Sequence, residues 1–95
     1  MPNSLMLGSV LDLKAAAPLK ASLLEHRGED VRIDASAVSR LGGLCLQLLL
    51  AAQKAWAEDG LAFAIQPRSD AFSDTVRLFG ASARLDPAIQ NGDAL

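Results

Sequence analysis

The sequence predicts a small α/β domain with a mixed or partly parallel β-sheet and about three helices packed on one face of that sheet. Short apolar runs typical of strands alternate along the chain with longer runs of helical spacing, and the connections are only a few residues long. The 95 residues form one domain, near the lower limit for an adequate core without disulfides or metals. We therefore expect most apolar positions to serve packing.

The chain begins with one or two short strands. Leu5–Leu7 and Val10–Leu11 are apolar runs separated at Gly8, and Asp12 follows them as a candidate helix cap. The spacing then predicts a first helix from about Lys14 to His26, in which Pro18 is tolerable only in the first turn.

A second strand is predicted from Val31 to Asp34, where apolar and charged residues alternate and Val31 and Ile33 share one face. The strongest helix signal follows, from about Gly43 to Glu58. Its apolar stripe is broad, and Gln47, Lys54 and Glu58 lie outside it; the stripe consists of Cys45, Leu48, Leu49, Ala52 and Trp56.

The last strand is predicted from Leu61 to Gln66, apolar at nearly every position as if covered on both faces, and closed by Pro67. Ser69 caps a third helix that ends at Gly80, with one packed side formed by Phe72, Val76 and Phe79. We expect a domain over residues 1–81 and a loosely held tail over residues 82–95.

Composition excludes several classes of function. The longest uncharged apolar run, 41–53, is too short to span a bilayer, and no secretion signal is indicated, so a soluble protein is expected. The single Cys45 fits a reducing cytoplasm. The net charge of −2, with both signs scattered, argues against nucleic-acid binding and against a membrane-surface role. We expect no cofactor and no metal site, because no metal-ligand spacing is present.

The pair Gly42-Gly43 is the most informative motif, because it lies between a strand-like run and the strongest helix. One interpretation is a tight turn, and the other is a binding face beside a helix N-terminus, which offers unpaired N–H groups and a partial positive charge. A phosphate-binding loop is not supported, since neither a following Lys-Ser/Thr nor three-glycine spacing is present.

The segment from Ile33 to Leu50 resembles the STAS family, the domain of sulfate transporters and anti-sigma-factor antagonists. In that family a strand ends in Asp-x-Ser-x-Val, here Asp34, Ser36 and Val38, and an apolar helix follows, here Leu46-Gln47-Leu48-Leu49. The resemblance covers the order of elements from about residue 4 to residue 80.

The resemblance implies a specific departure at the start of the second helix. The antagonist branch of the family carries Asp-Ser or Asp-Thr there, and a partner kinase phosphorylates the hydroxyl. The corresponding residues are Gly42 and Gly43, so this chain lacks the hydroxyl at the phospho-acceptor position. The resemblance therefore predicts docking to a protein partner without that switch, through Ser36, Ser39, Arg40, Gly42, Gly43, Leu44 and Gln47.

Several of these residues allow two interpretations. Ser36 and Ser39 either bond local backbone groups or act as replacement phospho-acceptors, and the first is favoured. Asp34 is favoured as an organiser of its loop over a catalytic role. Arg40 is either a contact for an acidic group of a partner or a solvated charge.

Three further side chains are weighed against packing roles. Trp56 is favoured as a core residue over a contact anchor, and Cys45 is most simply a small core residue. His26, the only histidine, is placed at a helix end, where its charge is favourable, in preference to a phosphotransfer role.

The sequence thus predicts a non-enzymatic regulator that binds a signalling protein. A homodimer is compatible with this prediction. The string from Arg40 to Gln47 also resembles small STAS proteins of bacterial chemotaxis, which implies a histidine kinase as partner. One alternative is an accessory subunit of an ABC-type transporter ATPase in phospholipid trafficking. A response-regulator phosphatase that uses Gln47 to position water is less favoured.

Overall fold

A computed structural model describes residues 4–80. It contains five short strands, three α-helices and one 3₁₀ turn (Leu13–Ala15). The strands are β1 (Ser4–Met6), β2 (Val10–Leu11), β3 (Val31–Ala35), β4 (Arg40–Leu41) and β5 (Phe63–Arg68). The helices are α1 (Ala16–Glu25), α2 (Gly43–Glu58) and α3 (Asp70–Leu78). The predicted α/β class with three helices is confirmed, and the predicted tail 82–95 lies outside the described residues.

All strand pairings in the described chain are parallel. β3 is the central strand of a three-stranded sheet with the order β1-β3-β5, and β2 and β4 form a separate two-stranded sheet. Each connection from one strand to its parallel neighbour is long enough for a crossover, as parallel pairing requires. The two-stranded sheet follows the carboxyl ends of β1 and β3, and it brings Leu11 opposite Leu41.

The core lies on one face of the three-stranded sheet. Val31, Ile33 and Ala35 of β3 are buried, whereas Arg32 between them is exposed. Because side chains alternate between the faces of a strand, the helices cover one face only. The prediction that Val31 and Ile33 share a face is therefore confirmed.

The predicted bounds of α2 are confirmed, but its buried side differs in part. Cys45, Leu49, Ala52 and Trp56 are buried as predicted, and Gln47, Lys54 and Glu58 are exposed. Leu48 is only half-buried, and the additional buried residues are Leu46 and Gln53. The stripe is rotated because α2 contacts both α1 and β5, so its buried arc is set by two neighbours.

Two predictions about β5 are wrong. Pro67 does not close the strand but lies inside it, next to an irregularity in the pairing with β3, and the Gln66–Pro67 peptide is cis. Proline is tolerated because β5 is an edge strand, whose outer N–H groups need no ladder partner. Only one face of the strand is fully covered, since Phe63 and Ile65 are buried, whereas Ala64 is half-buried and Gln66 is exposed.

The start of α1 and the end of α3 are each set by a residue that the sequence marks as a helix boundary. Asp12 caps the 3₁₀ turn that leads into α1, where it accepts hydrogen bonds from the N–H groups of Lys14 and Ala15 at 3.1 and 3.2 Å. Gly80 follows α3 with a φ of +67°, a left-handed conformation that favours glycine.

None of the helices within residues 4–80 combines the length and apolar character needed to cross a membrane.

Candidate partner-binding site

The start of α2 has Gly42 as its N-cap residue. The N–H of Gly42 donates a 2.8 Å hydrogen bond to the carbonyl oxygen of Leu11, and its own carbonyl accepts one of 3.0 Å from Leu46. No side chain within residues 4–80 caps this helix, and its first turn carries no acidic residue. The first turn therefore presents N–H groups that no side chain satisfies and the partial positive charge of a helix N-terminus.

Glycine at position 42 has a packing reason. Its φ of −85° and ψ of 164° are open to any residue, so backbone conformation does not require glycine. A Cβ atom there, however, lies 3.1 Å from the carbonyl oxygen of Leu11, closer than ordinary van der Waals contact. Since Leu11 is held by the hydrogen bond from Gly42 itself, β2 and the start of α2 approach each other most easily with glycine here.

Glycine at position 43 has no such reason. A Cβ atom on Gly43 lies 3.6 and 3.9 Å from the Cε2 and Cζ atoms of Phe79, which is ordinary contact with a side chain. The first atom of a side chain therefore fits at this position. Contacts at the Cβ position do not require glycine here, unlike those at position 42.

The Asp34 carboxylate organises the loop after β3, as the sequence predicts. Its Oδ1 atom accepts two hydrogen bonds from Ser36, one of 2.6 Å from the hydroxyl and one of 2.9 Å from the backbone N–H. These bonds, from the side chain first and the backbone second, lower the pKa of Asp34, and the charge of Arg32 contributes less. The Ser36 hydroxyl is thus engaged within its own loop.

Ser69 fastens the same loop to α3. Its hydroxyl donates to the carbonyl oxygen of Val38 at 2.5 Å and accepts from the N–H of Phe72 at 3.0 Å, while its N–H donates to Ala35 at 3.1 Å. The predicted cap at Ser69 is confirmed. Because Phe79 at the other end of α3 lies against Gly43, α3 contacts both parts of the predicted site.

Ser39 and Arg40 are fixed through a single acceptor. The carbonyl oxygen of Ser9 accepts from the N–H and hydroxyl of Ser39 at 2.7 and 3.0 Å and from the N–H of Arg40 at 3.1 Å. The Arg40 side chain is exposed, and none of the salt bridges among residues 4–80 involves it. The backbone is therefore held while the guanidinium faces solvent.

Leu44 and Gln47 point outward from α2. Leu44 is 47% exposed, and Gln47 is exposed and lines a shallow groove with Leu50, Ala51 and Lys54. The outward surface around the helix N-terminus consists of Arg40, Gly42, Gly43, Leu44 and Phe79, and we call it the α2-start surface.

Phe79 is the main residue at this surface that sequence reasoning misplaced. Its spacing from Phe72 and Val76 predicts a packed position, yet it is 59% exposed. α3 ends at Leu78, so Phe79 leaves the helical path and its ring lies beside Gly43. Leu13, in the 3₁₀ turn that contacts α2, is a second exposed apolar residue that the sequence analysis did not identify, and no pattern in the sequence marks it.

Cys45 and Trp56 are core residues, as the sequence favours. Cys45 is fully buried, its Sγ donates to the carbonyl oxygen of Asp12 at 3.4 Å, and burial, assisted by the Asp12 charge, raises the pKa of its thiol. Trp56 is 2% exposed and donates from Nε1 to the Glu29 carbonyl oxygen at 2.6 Å. A buried thiol with a raised pKa is a poor nucleophile.

His26, for its part, lies at the C-cap of α1, as the sequence favours. Within residues 4–80, no three His, Cys, Asp or Glu side chains are grouped closely enough to hold a metal ion.

A small parallel sheet with helices on one face, and a helix N-terminus beside an Asp-x-Ser loop, together define a regulatory α/β module of the STAS type. Comparison with protein families supports this class: the family model described as "Mlab, STAS domain" matches residues 2–87 of the chain. The chain therefore belongs to the STAS domain family, which indicates a regulatory role. A comparison with curated proteins gave no match.

The two glycines give opposite expectations for alanine. Gly42→Ala should lower the free energy of unfolding by about 1–2 kcal/mol, because the methyl crowds Leu11 and alanine is a poor N-cap. Gly43→Ala should raise it by about 0.4–1 kcal/mol, because the site has room and the unfolded chain loses freedom. Urea unfolding followed by Trp56 fluorescence measures both, and equal effects of the two substitutions would contradict the contrast.

Ser69→Ala should lower the free energy of unfolding by about 2 kcal/mol, because it removes a helix cap and leaves the Val38 carbonyl without its partner. Ser73→Ala, one turn further along the same helix, is the matched control and should change stability by less than about 0.5 kcal/mol. Urea unfolding measures both. An equal loss of unfolding free energy in the two variants would show that the hydrogen bond from Ser69 to the Val38 carbonyl contributes nothing beyond a general effect of the substitution.

Asp34 should titrate below its ordinary value of 3.8, which ¹³C NMR of its carboxyl carbon measures directly. Ser36→Ala should move that pKa upward but not fully to 3.8, because the backbone hydrogen bond remains. Since the folded-state pKa is depressed, this interaction stabilises the fold above pH 3.8 and is lost as pH falls through the folded value. A titration unchanged by Ser36→Ala would contradict the assignment.

Proposed function

We propose that this protein is a non-enzymatic regulatory module of the bacterial cytoplasm that binds a signalling protein. The partner is contacted through the loop from Ser36 to Ser39, the α2-start surface and the outward side of α2 around Gln47. The observation that carries the proposal is Gly43. The helix N-terminus is present and has no side-chain cap, yet the residue at the phospho-acceptor position has no hydroxyl, and the contacts of a Cβ atom there do not require glycine.

The composition of the α2-start surface supports a protein partner. Leu44 and Phe79 expose apolar area, and exposed aromatic residues are typical of interface anchors. The exposed Arg40 guanidinium and the uncapped helix N-terminus both favour negative charge. A partner that brings a carboxylate next to an apolar side chain matches both features.

The absence of a hydroxyl at Gly43 favours docking governed by surface fit. A phosphate at this position would introduce about −1.5 to −2 charges between the helix N-terminus and the Phe79 ring. Without that chemistry, affinity is set by the contacts themselves and by partner concentration. The proposed mechanism is therefore constitutive docking, in contrast to phosphorylation-controlled release.

The polar groups near the site support the non-enzymatic part of the proposal. The Ser36 hydroxyl and the Asp34 carboxylate bond each other, and the Cys45 thiol is buried with a raised pKa. Gln47 shares its groove with Leu50, Ala51 and Lys54, which supply no acid to assist a water molecule. A response-regulator phosphatase that uses Gln47 is therefore the weaker proposal.

Two partner classes follow from the resemblance. The first is the histidine kinase of a bacterial chemotaxis or related pathway, with an effect on response-regulator phosphorylation. The second is an ABC-type transporter ATPase, to which small STAS proteins attach as accessory subunits in phospholipid trafficking. The second class is retained as a proposal beside the first, because the matched family model is described as an Mlab STAS domain.

The test measures binding of the full chain to one purified representative of each class by calorimetry. We expect binding to one of them, with Arg40→Glu and Leu44→Ser each weakening it by about tenfold or more. Leu24→Ser, at a 57% exposed position on α1, is the matched control and should leave affinity unchanged. Binding to neither class, or loss of affinity only with the control, would overturn the proposed site.

Where the histidine kinase is the partner that binds, incubation of the chain with that kinase and ATP completes the same experiment. The unmodified chain should acquire no phosphate. Gly43→Ser is the comparison variant, because it supplies the missing hydroxyl at a position where a Cβ atom makes only ordinary contacts. Phosphate on Ser36 or Ser39 of the unmodified chain would show that the switch has moved, and it would overturn constitutive docking.

A further inference from the structure

The two outer strands of the three-stranded sheet are protected to different degrees. β5 carries Pro67, the charged Arg68 and an irregularity in its pairing, all of which discourage a further strand from adding to an edge. β1 is Ser4-Leu5-Met6, with no charge, no proline and no irregularity in its pairing with β3. Within residues 4–80, β1 has no neighbour on its outer edge.

The surroundings of the β1 edge are apolar and uncharged. A cavity of about 250 Å³ lies between β1, β2 and α1, and every residue that lines it is uncharged, including Leu5, Val10, Pro18 and Ser22. Met6 is 70% exposed beside it. This surface offers no charge for an ion pair with a partner, and a second copy of the chain meets it without charge repulsion.

The hydrogen bonds of β1 determine which of its groups face outward. The N–H of Leu7 donates to the carbonyl oxygen of Asp34 at 2.9 Å, so Leu7 and, two residues earlier, Leu5 direct their backbone groups toward β3. Because these directions alternate along a strand, the N–H and C=O groups of Ser4 and Met6 point to the free edge.

From this alternation of backbone directions along β1, we infer that two copies of the chain pair through β1. The two β1 strands run antiparallel, with the two-fold axis at Leu5. Ser4 of each copy then lies opposite Met6 of the other and exchanges both backbone hydrogen bonds with it. The two Leu5 side chains face each other as a non-hydrogen-bonded pair on the helix side, where each is half-buried in the single copy. The pairing joins two three-stranded sheets into one continuous sheet.

The pairing is self-complementary, as a two-fold interface must be. It covers the partly exposed Leu5 and extends the apolar cavity across the axis, so side-chain packing adds to the backbone bonds. No residue of the α2-start surface lines this cavity, although Arg40 is the ladder partner of Val10. The inference uses the β1 edge alone and does not rest on the proposed function.

Sedimentation equilibrium of the full chain over roughly 10 µM to 1 mM tests the assembly, because small interfaces dissociate in this range. We expect the mass to rise toward twice the chain mass of 10.0 kDa. A mass that stays at that of one chain throughout would overturn the inference.

Charge pairs at exposed positions test the register. Ser4→Lys with Met6→Lys places two lysines opposite each other on both sides of the axis and should raise the dimer Kd by about tenfold or more. Ser4→Glu with Met6→Lys places opposite charges there and should restore the Kd to within about threefold of the unmodified value. Equal effects of the two double variants would exclude this register.

A thiol pair provides an independent test. In the inferred pairing the Cβ atoms at position 5 lie about 4.5–5.5 Å apart, so Leu5→Cys should form an interchain disulfide under mild oxidation. Met6→Cys should not, because its two copies are offset along the strands. Cys45 is buried, so the unmodified chain serves as the uncrosslinked control. Crosslinking at position 6 in place of position 5 would overturn the inference.

Discussion

The candidate site depends on one close approach, between the carbonyl oxygen of Leu11 and the backbone of Gly42. That oxygen accepts the Gly42 N–H at 2.8 Å, and it lies 3.1 Å from the place where a side chain on residue 42 would begin. The contact joins β2 to the start of α2. It fixes where the helix begins, and thereby the direction in which Leu44 and Gln47 point.

α3 is the second element on which the site depends. Ser69 at its N-terminus bonds Ala35 and Val38, and Phe79 after its C-terminus lies against Gly43. The loop after β3 and the start of α2 are therefore positioned by the same nine-residue helix. The packing of α3 therefore bears on both parts of the site.

The elements predicted from sequence were those with strong local signals. The long apolar period of α2, the alternation in β3 and the Ser69 cap are properties of neighbouring residues, and the structure confirms them. Pro67 and Phe79 were placed wrongly because their outcome depends on neighbours distant in sequence. Pro67 is accommodated by the edge position of β5, and Phe79 by the end of α3 beside Gly43.

The sequence by itself determined the α/β class, the STAS resemblance and the missing hydroxyl at Gly43, because composition, spacing and residue identity are all local quantities. Only the tertiary structure distinguished the two glycines. Gly42 is held against the Leu11 carbonyl, whereas Gly43 has space beside Phe79, and both neighbours lie more than thirty residues away along the chain. Close approaches of that kind are decided by packing, which no local pattern of residues records.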